Sequence, residues 1–433
     1  MRFTSDRGGR PAVSARSAIR AGLAPDGGLY VPESLPKLAR GGNDWAPGTL
    51  FEAGVALLGP YFDDLDEDAL RALLVETWDF DAPVVSLEPG LALLELFHGP
   101  TLAFKDFGAR FLAGYLATGG EPLTILVATS GDTGGAVAAG FLGAPGITVY
   151  LLYPAGRVTP IQEAQMATLG GNIRAIEVSG TFDDCQRLVK GALGDARLAA
   201  DLRLTTANSI NLGRLLPQMA YYGAAFGPVL GTLPGFDSIA SSCTLVVPSG
   251  NFGNVTAALY ARTMGVPIGP IVAAVNANDV VPRILGGEAA DRSVSIHTLS
   301  SAMDVAAPSN LSRLLHLAGG SVERLGTLMT AETIDDVTTG AEIRHVYETT
   351  GRIIDPHTAV GLAVARRRRA AGDPAVLVAS TAHPAKFPEV IEPLIGRVAP
   401  LPARLAEALD RPKYARSLPP DDEAFRHLLR TDT

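Results

Sequence analysis

One lysine in this chain stands where an amine can do chemistry. Lys105 lies within Phe97-His98-Gly99-Pro100-Thr101-Leu102-Ala103-Phe104-Lys105-Asp106-Phe107-Gly108, a loop-to-helix junction crowded with apolar and aromatic side chains. Such surroundings dry out an ammonium group, lower its pKa and leave a nucleophilic amine suited to forming a Schiff base with an aldehyde cofactor. Taken alone, Lys105 reads better as a solvated lysine in the first turn of a surface helix, because most lysines are exposed. Its company elsewhere in the chain decides.

Three polar loops follow strand-like runs, where open α/β sheets place their ligands. The first is Thr129-Ser130-Gly131-Asp132-Thr133-Gly134-Gly135. It opens a helix, so its backbone N–H groups and hydroxyls suit an anion such as a substrate carboxylate, or are simply a capped helix start. The second is Pro248-Ser249-Gly250-Asn251-Phe252-Gly253-Asn254. Its glycines allow close backbone approach and the helix behind it supplies donors, which makes a phosphate cradle or a plain tight turn. It matches neither a Walker A loop nor the dinucleotide fingerprint. The third, Ser380-Thr381-Ala382-His383-Pro384-Ala385-Lys386-Phe387, offers a hydroxyl at Thr381 and basic groups at His383 and Lys386. An amine, an anion loop, a phosphate cup and a late hydroxyl are the parts that a pyridoxal phosphate site needs.

The elements that must position these groups are legible as a pattern. Apolar, β-rich runs at 123–128, 147–152, 173–178, 244–247, 271–275 and 375–379 alternate with helical patterns at 133–141, 160–169, 182–193, 212–226, 254–264 and 358–370. Strand alternating with helix predicts an α/β fold of parallel or mostly parallel sheets covered by helices. Residues 1–85 differ in character and form an N-terminal, mainly helical extension. A smaller, mobile α/β unit with the lysine loop is expected at 86–216. A larger cofactor-binding α/β unit is expected at 217–433, with a hinge at 227–237 and a surface-wrapping tail from 400.

The 433 residues carry a net charge of −9 and 47% hydrophobic residues. That excludes a disordered chain and argues against nucleic acid as a partner. The run Arg366-Arg367-Arg368-Arg369 reads as a solvated helix end that complements the dipole. Two distant cysteines exclude a disulfide framework, show no metal-ligand spacing and point to a reducing compartment. No secretory signal and no membrane-length apolar run is found, so a cytoplasmic protein without a membrane partner is expected.

With these segments in hand, the chain resembles the threonine synthases, pyridoxal-phosphate enzymes of fold type II related to the tryptophan synthase β subunit. The resemblance runs through 23–33, 97–108, 129–135, 152–162, 207–214, 248–254, 276–283, 303–310 and 380–387, and it looks like the bacterial and fungal branch. It departs at Leu212, where a Trp is expected, and at Leu311-Ser312, in place of Phe-Glu.

The resemblance implies pyridoxal 5′-phosphate on Lys105 and O-phospho-L-homoserine as substrate. γ-Elimination of phosphate and β-addition of water would give L-threonine, the last step of threonine biosynthesis. It places Asp132 beside the cofactor's 3-hydroxyl, Gly250, Asn251, Phe252, Gly253 and Asn254 around its phosphate, and Thr381 at its ring nitrogen. Ser130, Gly131 and Thr133 would grip the substrate carboxylate. Thr101, Asn208, Asn211, Arg214 and Lys386 are further substrate contacts, with Arg157 and Arg313 also candidates for the substrate phosphate and His98 for the pocket wall. A monomer is implied. The rivals are a phospholyase or serine/threonine dehydratase on the same scaffold giving 2-oxobutyrate, a non-catalytic binding protein, and a dinucleotide-dependent oxidoreductase.

Overall fold

A computed structural model describes residues 1–129, 131–236, 242–289 and 294–432. The chain begins with β1 (Arg2–Ser5), β2 (Val13–Ser14) and β3 (Tyr30–Pro32), an antiparallel sheet in the order β2-β1-β3. Helices Leu50–Leu58 and Glu67–Thr77 follow, each capped by the side chain of the residue before it, Thr49 and Asp66. Their leucine faces close over Trp78, whose indole donates to the Phe107 carbonyl at 3.0 Å. The extension therefore braces the helix that starts at Lys105.

The remaining strands run β4 (Val84–Glu88), β5 (Leu91–Glu95), β6 (Leu123–Ala128), β7 (Ile147–Pro154), β8 (Ile173–Val178), β9 (Leu204–Thr206), β10 (Cys243–Pro248), β11 (Ile271–Val275), β12 (Thr330–Thr333), β13 (Ala375–Ser380) and β14 (Ala415–Leu418). They form a six-stranded sheet, β12-β11-β10-β13-β5-β4, and a five-stranded sheet, β14-β8-β7-β6-β9. All pairings are parallel except β4 with β5. Strands β6, β10, β11 and β13 are buried along their whole length, which is why they read as continuous apolar runs. The α/β reading stands, as do the predicted strands and helices apart from the helix over 212–226, with ends shifted by one or two residues.

Sheet membership redraws the linear partition. Residues 84–95 belong to the six-stranded sheet, not to the unit of 86–216, because β5 pairs with β13 from Val376↔Leu91 to Ser380↔Glu95. The tail lies on the surface, as expected, and does so in regular elements. It crosses back to pair β14 with β8 and packs helix Asp422–Thr431 against the helix Phe182–Gly194. The helix expected over 212–226 divides at Pro217 into Leu212–Leu215, a 3₁₀ turn at Leu216–Gln218 and Met219–Ala225, since proline has no N–H for the ladder. The arginine run ends the helix Pro356–Ala370 at the surface, as read, and is also tied down: Arg366 binds Glu342 and Glu88, Arg368 binds Asp373, and Arg367 and Arg369 donate to backbone carbonyls. The expected hinge is tied to the β4–β5 turn by the Gly90 N–H on the Pro234 carbonyl at 2.9 Å, and its last residue, Asp237, lies outside the described residues.

One consequence of the topology matters for chemistry. Strands β5, β13 and β10 are neighbours and parallel, so the loops after Glu95, Pro248 and Ser380 leave the same edge of one sheet. The loop after β6 comes to meet them from the other sheet.

Candidate active site

The lysine loop is stitched to the late loop by backbone bonds. The Phe104 N–H donates to the Thr381 carbonyl at 2.9 Å, His383 N–H to the Leu102 carbonyl at 3.0 Å, and Ala103 bridges Ala382. Leu102 is held at φ 60°, a costly conformation for a leucine, which the surrounding bonds over-determine. Lys105 opens its helix from this support and keeps 16% of its side-chain surface accessible. Burial lowers its pKa, with the cations of Lys386 and Arg214 adding and Asp132 opposing.

Asp132, first residue of the helix Asp132–Phe141, reaches in from the other sheet. Its Oδ2 lies 3.6 Å from Lys105 Nζ and its Oδ1 2.7 Å from Lys386 Nζ, and Gln162 Nε2 donates to Oδ1 at 3.2 Å. Burial pushes the Asp132 carboxyl up, but the two ammonium groups outweigh it and hold the group well below the usual carboxylate range. The preceding Gly131 has φ 150°, and a Cβ there would stand 2.5 Å from Gln162, so glycine is required. The Thr129 hydroxyl accepts from the N–H groups of Gly131 and Gly134. Thr133 is half-buried in the first turn. Ser130 lies outside the described residues.

The second loop is a prebuilt cup. Gly250 lies so near Met303 that an added Cβ would stand 2.7 Å from its Cα. Phe252, at φ 60°, turns the chain into the helix Gly253–Met264. Asn254 Oδ1 accepts the Tyr222 hydroxyl at 2.7 Å and lies 2.6 Å from the Tyr221 hydroxyl, while its buried Nδ2 has no partner. A buried donor without an acceptor, at a helix start where glycine permits close approach, fits a phosphate group. With Lys105 as the amine, the residues present fit pyridoxal phosphate.

The structure sorts the other candidates by what their atoms already bind. Asn251 is a strap: its amide donates to the Ser209 hydroxyl, and its Oδ1 accepts from the Ser309 N–H at 2.5 Å. Asn211, fully buried, donates to the carbonyls of Ile19 and Thr206 and caps Gly213, leaving nothing for a substrate. Asn208 holds the Ala128 carbonyl at 3.0 Å. Arg313 donates to Tyr30, Ile210 and Asn310, so it pins the extension to the 206–211 loop and is not free for a phosphate. Thr101 donates its hydroxyl to Asp106, and its carbonyl accepts from Lys386 and Gln165. Lys386 is wholly buried between Asp132 and Thr101, which removes it from the substrate side. His98 sits 2.9 Å from Glu95, and Arg157 is exposed. Arg214 behaves differently. It is buried, donates to the Ala207 carbonyl at 2.6 Å, and keeps a buried Nε without a partner; burial lowers its pKa to about 10.

Several groups escaped the sequence reading. Asp106, next to the lysine, holds the loop by accepting from the Thr101 N–H and hydroxyl; burial raises its pKa against those bonds. Gln162 and the Tyr221–Tyr222 pair are likewise positioning groups. The signal for Gln162 was the capping box Thr159-Pro160-Ile161-Gln162, which the structure contains.

Three families match the chain: Pyridoxal-phosphate dependent enzyme over residues 81–381, Threonine synthase N terminus over 2–78, and Threonine synthase, C-terminal over 358–429. It is 41% identical to threonine synthase of Escherichia coli (strain K12) over 421 residues, 96% of either chain. It superposes on the crystal structure of threonine synthase from Escherichia coli with a TM-score of 0.89 at 38% identity, covering all of both chains. It superposes on PLP-bound threonine synthase from Brucella melitensis with a TM-score of 0.88 at 33% identity, covering 99% of each.

Proposed function

The chain belongs to the threonine synthase family, and we propose that it converts O-phospho-L-homoserine and water to L-threonine and phosphate with Lys105 as the proton-moving amine. It is a pyridoxal-phosphate-dependent lyase of amino-acid biosynthesis. When bound, pyridoxal phosphate supplies an aldehyde that takes up the substrate amine and a ring that accepts negative charge left at the α carbon.

The chain's own groups do the rest. Lys105 Nζ, with its pKa lowered by burial, removes the α proton. It then carries protons from the β carbon and to the γ carbon as phosphate leaves, before water adds at the β carbon. Gly250 to Asn254 hold the cofactor phosphate through backbone donors and the Asn254 amide. Asp132 faces the 3-hydroxyl, and the Thr381 hydroxyl faces the ring nitrogen. Ser130, Gly131 and Thr133 take the substrate carboxylate. Arg214, with a buried donor to spare, takes the substrate phosphate, where a guanidinium can bind two oxygens. Closure of the unit bearing Gly131 over the substrate would shut out water until it is needed.

We place the enzyme in the cytoplasm as a monomer. The free, buried Cys185 and Cys243 suit a reducing compartment, and no helix among the described residues is long and apolar enough to cross a membrane. The 2-oxobutyrate-forming alternative gains nothing from the comparisons, in which both terminal families are threonine synthases.

The observation that carries the residue assignment is Lys105 at the edge shared by three loops, with the Asp132 carboxylate between it and a second lysine. The test is to reduce the cofactor-loaded protein with borohydride, locate the modified residue, and assay threonine, phosphate and 2-oxobutyrate from phosphohomoserine. Label on Lys105 and threonine with phosphate are expected. Label elsewhere, or 2-oxobutyrate as the main product, overturns the reading.

A further inference from the structure

Asp132 stands between two lysines and treats them unequally. Lys386 Nζ is 2.7 Å from Oδ1, whereas Lys105 Nζ is 3.6 Å from Oδ2. Lys386 has no exposed surface, and its other bond goes to the Thr101 carbonyl at 2.9 Å, so substrate cannot reach it. A buried carboxylate that stays ionised is costly unless it is paired, and Asp132 is held ionised by its neighbouring cations. Were Lys105 the sole partner, it would be pinned as an ammonium group and would be a poor nucleophile.

We infer that Lys386 is a positioning residue: it is the permanent charge partner of Asp132, and by filling that post it releases Lys105 to act as an amine. This deepens the role given to Lys105 above and rests on it. The sequence offers Lys386 as a loop cation facing an anionic ligand; the structure turns it inward instead. Among the described residues, the other groups facing this cluster are few. Arg214, from the helix Leu212–Leu215, acts on Lys105; His357, from the helix Pro356–Ala370, acts on Asp132; Asp106 feels both Lys386 and Arg214; and His383, on the loop that carries Lys386, feels Lys386. None of these four forms an ion pair with Asp132 or with either lysine.

The charges give opposite signs for the two single variants. Lys386→Met leaves Lys105 alone with the carboxylate and should raise its proton affinity. Asp132→Asn removes the one anion and should lower it. Asp132→Asn/Lys386→Met removes both and should return it near the wild type. The readout is labelling of Lys105 by an amine-reactive reagent in the cofactor-free full chain across pH, followed by mass spectrometry, with circular dichroism as the check on folding. At a pH below the midpoint, moving that midpoint by about one pH unit changes the labelling rate about tenfold. Labelling about tenfold slower, about tenfold faster, and within about threefold of wild type is expected in that order.

A packing role alone would slow or speed all three together. Equal midpoints in all four proteins, or a double variant displaced further than either single one, overturn the inference while leaving Lys105 as the amine. A wild-type Lys105 that resists labelling at every pH overturns both. Where Lys386→Met does not yield folded protein, Asp132→Asn against the double variant carries the same test: a faster single variant and a double variant near wild type support the inference, and any other order rejects it.

Discussion

The two loops that face each other across this site are built on different physics. The 249–254 cup is held by neutral bonds: Asn251 to Ser209 and Ser309, Asn310 to the Asn251 carbonyl, Asn254 to two tyrosines, and Gly250 against the Met303 backbone. The 129–134 loop is held at its working end by charge, through Asp132 and its two lysines. Neutral bonds fix shape and are indifferent to pH. A buried ion pair fixes shape too, but it also sets the protonation of whatever stands beside it. On the proposed reading, the shape-setting loop meets a group that must only be held, and the charge-setting loop meets the group that must react.

Asp132→Asn should break the contrast most. It leaves Lys386 buried without its counter-charge, and a loss of about 3 kcal/mol in denaturant unfolding is expected. The pH dependence sharpens the point. The folded carboxyl lies below its unfolded value, so its stabilisation is full above about pH 4 and is lost as pH falls further. The variant should therefore show a flatter acid limb. Lys105 works with the opposite purpose: its folded pKa lies below the unfolded value of about 10.4, so stability gains as pH rises toward that value. Lys105→Ala should remove that gain, seen as a flatter alkaline limb in the same unfolding series.

On the neutral side, Gly250→Ala drives a methyl into the Met303 backbone and should cost about 2 kcal/mol, read as weaker cofactor binding at every pH. The smallest effect is expected for Tyr222→Phe. It removes one bond to Asn254, about 1 kcal/mol, with cofactor affinity down about fivefold and the pH profile unmoved. A shifted pH profile in either cup variant would erase the contrast.

Much of this was readable in advance, for reasons that differ by region. Fully buried parallel strands such as β6 and β10 announce themselves as unbroken apolar runs. The β4–β5 hairpin does not, because Leu91-Ala92-Leu93-Leu94-Glu95 suits a helix equally well; only pairing with β13 makes it a strand. β14 is invisible for the same reason, being four residues that are mostly half-buried or exposed and need β8 beside them. In the site, the three polar loops were legible from residue type and position after strands, whereas Lys105 and Asp132 took their roles only from the company of those loops and from the resemblance; the structure brings the two within 3.6 Å. Asn211, Arg313 and Lys386 were misjudged because amide and cationic side chains look alike in a sequence whether they face a ligand or a carbonyl.

Composition, apolar periodicity and motif order determined by themselves the α/β class and the succession of buried strands and helices, since both follow from residue type and spacing along the chain. Which donors remain free was decided only by the tertiary structure. A hydrogen bond or ion pair is a matter of ångströms between residues hundreds of positions apart, as between Lys386 and Thr101, and no local pattern encodes that distance.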